Sequence, residues 1–367
     1  MLTAAPRFDG VNKIAVLRPN ALGDYIVTVP ALEALRAAYP QAEIVLLGKA
    51  WHRDFLSGRP GPVDRVEVVP PTPGVGAPED SVPDTAAQRD FFERMRAERF
   101  DLAVQVYGGG RYSNPFTLAL GARHTVGSRT PDALPLEVNV PYPFYRHEVL
   151  RGLEVAAAAG AAPVVLEPRV AVINSDLEEA ARVVAPGKWV VLHPGASDPR
   201  RRWPPEKFAR VGDALAERGL QVAVTGTGSE RPAVEAVVAA MRAPALNLCD
   251  RLSLGGLTGL LSRSALVISN DTGPRHLAGA VGTPTVGIYW CGNVINAAPV
   301  TAARHAVLFS WQLYCPVCGT DTTRSRCEHD VSFVADVRVE DVLEEAFALL
   351  ERSGQDAHPI GGPGSSR

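Results

Sequence analysis

Short β-branched runs alternate with longer helical patterns along most of the chain, and that alternation constrains the fold more than any other feature. The order begins KIAVLRP, PALEALRAAYP, EIVLLG, VDRVEVVP, AAQRDFFERMRAERF and DLAVQVYG. Continuous apolar runs of strand length, each followed by enough chain to cross a sheet, describe parallel strands covered on both faces. The rhythm pauses near residues 163–174. It restarts at KWVVLHPG and continues through PPEKFARVGDALAERG, LQVAVTGTG, RPAVEAVVAAMRA, LSLGGLTGLLSRS, ALVISND, GPRHLAGAVG and TPTVGIYW. A chain of 367 residues, 46% of them hydrophobic, exceeds what one core supports. We therefore expect an α/β protein with two doubly wound, Rossmann-like domains, residues 1–165 and 175–345, facing a central cleft at the carboxyl ends of their strands. The Pro/Gly-rich, aperiodic stretch PPTPGVGAPEDSVPD (70–84) reads as a long surface loop. The small polar tail 355–367 reads as disordered.

A formal charge of −3 supplies no overall basic field, which argues against nucleic acid as partner. No apolar run reaches membrane-spanning length, and the N-terminus lacks a basic segment followed by a long apolar one, so a cytoplasmic protein is expected. No strand runs into a GxGxxG turn, which disfavours a dinucleotide dehydrogenase.

Function in such a fold resides in loops that follow strands. LRPNALGDYIVTVPAL (17–32) passes from an apolar run into a helical pattern with one carboxylate between them, Asp24. An Asp there suits the orphan N–H groups and positive dipole end of a first helical turn, or it does chemistry. This segment alone leaves both open. Arg18, just after the first strand, stands near it and is a candidate to meet an acidic acceptor.

Three loops stand out in the second half. In HPGASDPRRRWPPEKF a strand ends at His193, the Gly195–Ser197 turn lets backbone N–H groups approach an anion, and Arg200, Arg201 and Arg202 precede Trp203. Guanidinium forks suit phosphate oxygens, although an Arg triplet is also an ordinary solvated charge run. In VAVTGTGSERP, Glu230 follows a glycine-rich strand end and either takes ribose hydroxyls or caps a helix. In SNDTGPRHLAGAVG, Asp271 or Thr272 can cap a helix that opens with Gly273 and Pro274, aiming the N–H groups of Thr272 and Gly273 at a phosphate, with His276 within reach.

Taken in order, LRPNALGDYIVTVPALEALRAAYP, HPGASDPRRRWPPEKFARV, TGTGSE and SNDTGPRHLAGAVGTPTVGIY resemble glycosyltransferase family 9, the ADP-heptose:lipopolysaccharide heptosyltransferases of GT-B fold. The resemblance spans both expected domains. It implies that Asp24 is the catalytic aspartate, that Arg201 contacts donor phosphate, that Glu230 binds the donor nucleoside, and that Asp271, Thr272 and Gly273 hold sugar and phosphate with His276 beside them. The implied reaction is an inverting, metal-independent transfer of heptose from ADP-heptose to a lipopolysaccharide-core or other glycolipid acceptor, with no catalytic cofactor. Asp24 would take the acceptor proton, while Arg201, Arg202 and the helix start at 272–273 would neutralise the leaving diphosphate. A lipid-linked acceptor would bring transient contact with the inner face of the membrane. The other readings are a nucleotide-sugar epimerase of GT-B type and a non-catalytic nucleotide-sugar-binding protein. VYGGGRYSNPF (106–116) matches no family motif and reads as a flexible loop.

Three of the five cysteines crowd into CPVCGTDTTRSRCEH, which presents Cys315, Cys318, Cys327 and His329. A C-x2-C pair and a C-x-H pair supply the donors of a tetrahedral zinc site, or they are reduced thiols in a loop. Four protein ligands would leave no open position, so such a metal would be structural.

Overall fold

The computed structural model describes residues 3–356. It divides into two compact units, Met1–Asn174 with Ile295–Val300, and Ser175–Val294 with Thr301–Arg367. The first unit contains β1 (Lys13–Leu17), helix α1 (Leu22–Ala38), β2 (Glu43–Gly48), β3 (Arg65–Val68), β4 (Thr72–Pro73), β5 (Gly76–Ala77), β6 (Leu102–Gln105), β7 (His124–Arg129) and β8 (Val138–Pro141). Its main sheet has the order β3-β2-β1-β6-β7-β8 and every neighbouring pair is parallel. The second unit contains β9 (Trp189–His193), β10 (Gln221–Val224), β11 (Ala245–Asn247), β12 (Leu266–Asn270), β13 (Thr285–Trp290) and β14 (His305–Ser310). Its sheet repeats the pattern as β11-β10-β9-β12-β13-β14, again wholly parallel.

The central strands carry the cores because their side chains are apolar toward both faces. Ile14 to Leu17 of β1 and Val190 to Leu192 of β9 are all at most 1% exposed. Helix α1 buries residues all round, from Tyr25 to Leu35, and packs on the helix Glu148–Ala158.

In each sheet the strand order reverses beside its first strand, between β1 and β6 and between β9 and β12. Loops leaving neighbouring strands in opposite directions open a crevice there, at the carboxyl ends. LRPNALGDY and VYGGGRY leave β1 and β6; HPGASDPRRRW and DTG leave β9 and β12. The motifs therefore lie where the topology opens space.

Two expectations change. The stretch 70–84 is not wholly a surface loop: β4 and β5 pair within it, and Val75 between them is fully buried in the first unit's core with Phe91 and Phe116. One apolar residue inside a Pro/Gly-rich run leaves no periodicity to read, yet its burial pins the loop. At the C-terminus, the last helix Val339–Asp356 takes in the first two residues of the expected tail; the rest of that tail lies outside the described residues. Among the described residues no helix is long and apolar enough to cross a membrane.

Candidate functional site

In the first unit, α1 begins at Leu22 with Ala21 at the cap position, and no side chain caps it. Asp24 thus occupies the first turn without serving as the cap. Its carboxylate meets Arg18 instead: Nη2 of Arg18 lies 3.2 Å from Asp24 Oδ1 and 3.2 Å from Glu148 Oε2. Arg18 Nε donates to the Asp24 carbonyl at 3.2 Å, and Nη1 donates to the Val106 carbonyl. The Arg18 side chain is 5% exposed and that of Asp24 39%. A buried guanidinium must be paired and hydrogen-bonded, and this one is saturated by the strand end, the Asp24 turn and Glu148. Arg18 thus fixes Asp24 from beside it while still lining the pocket onto which Asp24 opens.

Asp24, Arg18 and Glu148 open into a pocket of about 380 Å³, walled also by Glu79, Tyr107 and the 108–112 loop. That loop is held more firmly than its glycines imply. Thr130 N donates to the Gly109 carbonyl at 2.7 Å, and the buried Asn114 donates from Nδ2 to the Leu134 carbonyl at 2.8 Å. Gly110 has φ +95°, and a Cβ there would meet Asn114 Nδ2 at 2.5 Å, so only glycine fits. Tyr112 Oη donates to Glu79 at 2.9 Å. Glu148 and Glu79 escaped sequence reasoning because neither stands in a strand-end motif; Glu148 is 130 positions from Arg18.

In the second unit, the β9 and β12 loops are stapled by Asn270, fully buried at the end of β12. Its Oδ1 accepts from Trp203 N at 3.0 Å, and its Nδ2 donates to the Pro194 carbonyl at 2.8 Å and the Gly195 carbonyl at 3.2 Å. Trp203, also fully buried, donates from Nε1 to the Val337 carbonyl at 3.0 Å. The three arginines between these anchors have different fates. Arg200 folds onto Asp198, with Nη2 to Oδ2 at 2.6 Å. Arg202 donates twice to the Ala196 carbonyl, at 2.9 and 2.8 Å. Arg201 donates to Ser197 Oγ at 2.9 Å and stands 3.7 Å from Asp271 Oδ2.

Asp271 is buried at the start of the helix Gly273–Ala280, whose cap position is Thr272 and whose first turn no side chain caps. Asn293 Nδ2 donates to Asp271 Oδ2 at 2.8 Å, and His276 Nε2 lies 3.3 Å from Oδ1. Burial alone would push the Asp271 carboxyl up; His276, Arg275 and Arg201 outweigh it and hold it below its ordinary value. The structure thus brings Ser197, Arg201, Asp271 and His276 around one helix start, where positive charge gathers.

Glu230 realises the capping alternative with one oxygen: Oε2 accepts from Thr227 N at 2.9 Å and Thr227 Oγ1 at 3.1 Å. Its other oxygen, Oε1, lies 3.6 Å from His193 Nε2. Burial opposes the Glu230 charge, yet His193 and the Thr227 donors bring the carboxyl down to about 2. A Cβ on Gly195 would stand 2.0 Å from Oε1, so glycine admits that carboxylate over the loop. The cluster Cys315, Cys318, Cys327 and His329 also lies in this unit, with one ligand atom from each within 4.8 Å of the others.

A family model described as glycosyltransferase family 9 (heptosyltransferase) matches residues 88–327. Lipopolysaccharide heptosyltransferase 2 of Escherichia coli is 27% identical over 364 residues, spanning 92% of this chain and 98% of that protein. The solved structure of the glycosyl transferase family 9 from Veillonella parvula aligns with a TM-score of 0.77 over 95% of this chain and 99% of its own, at 21% identity. That of Escherichia coli ADP-heptose lps heptosyltransferase II aligns with a TM-score of 0.74 over 93% and 99%, also at 21% identity.

Proposed function

The chain belongs to glycosyltransferase family 9 and is a glycosyltransferase of GT-B fold; we propose that it transfers heptose from ADP-heptose to a glycolipid acceptor of the lipopolysaccharide-core kind, with inversion at the anomeric carbon. The observation that carries this reading is Asp24, partly exposed at a pocket of about 380 Å³ while its partner Arg18 is buried. Arg18 holds Oδ1 and leaves the other carboxylate oxygen to take a proton. Fixing a base in one orientation removes the entropy cost of placing it at each turnover.

In this reading the acceptor hydroxyl gives its proton to Asp24 and its oxygen attacks the anomeric carbon. The bond from that carbon to the phosphate oxygen breaks on the opposite face, and ADP departs with the electron pair. Glu230 takes the nucleoside ribose. Ser197 and Arg201, the N–H groups of Thr272 and Gly273, and His276 take the diphosphate, with Asp271 fixing Arg201 and His276 in place; Arg202, held at Nε and Nη2 by the Ala196 carbonyl, offers it Nη1 alone. Charge developing on the leaving group meets these groups already oriented, so the chemistry asks for no catalytic metal. The pocket at Asp24 would seat the acceptor, with Glu79, Tyr107 and Tyr112 available to its hydroxyls. A lipid-linked acceptor would bring a cytoplasmic enzyme to the inner membrane face through its substrate.

Asp24→Asn keeps the shape beside Arg18 and removes the base. Its turnover should fall by about 10²–10⁴-fold with ADP affinity unchanged, measured by coupled ADP release and calorimetry. Turnover within a few-fold of the parent chain would remove Asp24 from the mechanism, and a product of retained anomeric configuration by NMR would remove inversion.

A further inference from the structure

From 311 to 338, between β14 and the last helix, the second unit has neither helix nor regular strand. Structureless stretches beyond ~15 residues in a compact domain need a reason to be ordered. Apolar burial supplies it only at the far end, where Phe333, Val334 and Val337 are buried; over 311–331, Trp311, Tyr314, Val317 and Val331 are 67, 56, 58 and 42% exposed and Cys315 is the buried exception, at 2%.

Around Cys315 the backbone makes a tight turn. Gly319 N donates to the Cys315 carbonyl at 2.9 Å and Cys315 N to the Thr320 carbonyl at 2.9 Å, with Gly319 at φ +72°. The turn sets Cys318 near Cys315, and the returning chain adds Cys327 and His329, giving donor atoms within 4.8 Å of one another. At a zinc–sulfur distance of about 2.3 Å a filled tetrahedron has edges of about 3.8 Å, so closure asks only for a small contraction. An independent feature points to a missing ligand: His329 Nδ1 is buried with no hydrogen-bond partner. The cysteines are all free thiols, leaving the donors available.

We propose that Cys315, Cys318, Cys327 and His329 form a closed structural zinc site, and that this site holds the Asp198–Arg202 turn in shape. Three soft sulfurs and an imidazole select zinc over hard cations, and four protein ligands exclude substrate. The chain leaving the site grips the arginine turn directly. Arg326 Nη1 lies 3.4 Å from Asp198 Oδ1, Ser332 Oγ donates to the Arg202 carbonyl at 2.6 Å, and Phe333 N donates to the Arg200 carbonyl at 2.6 Å. The Phe333 ring lies 4.9 Å from the Arg200 guanidinium carbon. Anchoring Cys327 and His329 therefore anchors the turn that presents Arg201; the consequence for donor binding rests on the reading above.

The test uses the full chain. Elemental analysis of the purified protein should find one zinc per chain, and Cys318→Ser should lose it, with far-UV circular dichroism checking that this variant folds. Stripping with a chelator should speed amide hydrogen exchange at 198–202 and weaken ADP about tenfold, the loss of one charge-assisted contact; added zinc should reverse both. Absence of zinc, or iron in its place, overturns the site. Zinc with unchanged exchange at 198–202 after stripping overturns the coupling. A loaded protein that binds no ADP instead overturns the donor reading, and the exchange result still decides whether the metal shapes the turn.

Discussion

Three consecutive arginines with three different partners show how little a residue's identity says about its use. Arg200 is drawn to Asp198 because Asp198 is the cap of the short turn Pro199–Arg201, with its carboxylate accepting from Arg200 N at 3.0 Å. Burial alone would push the Asp198 carboxyl up; the Arg200 guanidinium and N–H overcome this and bring it from 3.8 to about 2. A carboxyl lowered on folding contributes stability that is complete above its unfolded value and is lost as pH falls through its folded one. Asp198→Asn should therefore lower stability at pH 7, and its difference from the parent chain should narrow as pH falls below 3.8 toward about 2. Urea unfolding at pH 7 and pH 3 measures this. A difference independent of pH would mean that the cap, not the charge, is what Asp198 contributes.

At the scale of elements, the decisive feature is the reversal of strand order beside β1 and β9. It turns four loops into two sites, and a single side chain secures each pair. Arg18 joins the β1 loop to the β6 loop by donating to the Asp24 and Val106 carbonyls, and Asn270 ties the β9 loop to β12 through three hydrogen bonds. Asn270→Ala would strand a buried N–H and two carbonyls. We expect it to cost at least about 3 kcal/mol, since each of the three buried groups left without a partner costs roughly 1–3 kcal/mol. Equilibrium denaturation gives the number. A loss under about 0.5 kcal/mol, the range of ordinary surface substitutions, would show that water replaces the staple.

At the scale of the whole molecule, two units with one topology divide the proposed work: the base belongs to the first and the donor ligands to the second. ADP at a hundred times its dissociation constant stabilises the state that binds it by about 2.7 kcal/mol, a rise of roughly 5–10 °C for a unit of this size. Calorimetry should place that rise in the transition of the second unit. Glu230→Gln should shrink it and Asp24→Asn should leave it intact. The opposite pattern would reverse the assignment of donor and base to their units.

The sequence alone determined the α/β class, two doubly wound sheets, the strand-end loops carrying Asp24, Arg201, Glu230 and Asp271, and the four residues of the cysteine cluster. All of these follow from interactions acting over a few residues. A parallel strand buried on both faces must be a continuous apolar run, and a loop that follows one lies at the sheet's carboxyl edge wherever the strand sits. The tertiary structure alone decided which partners the charged groups take. Arg18 showed no intramolecular partner until the fold brought Glu148 to it across 130 positions; Asp24 was a plausible cap until Ala21 took that place; the 108–110 glycines read as slack until Thr130 and Asn114 closed on them. A buried charge or an unmade hydrogen bond costs several kcal/mol unless a partner stands within about 3 Å, and only packing sets distances that short.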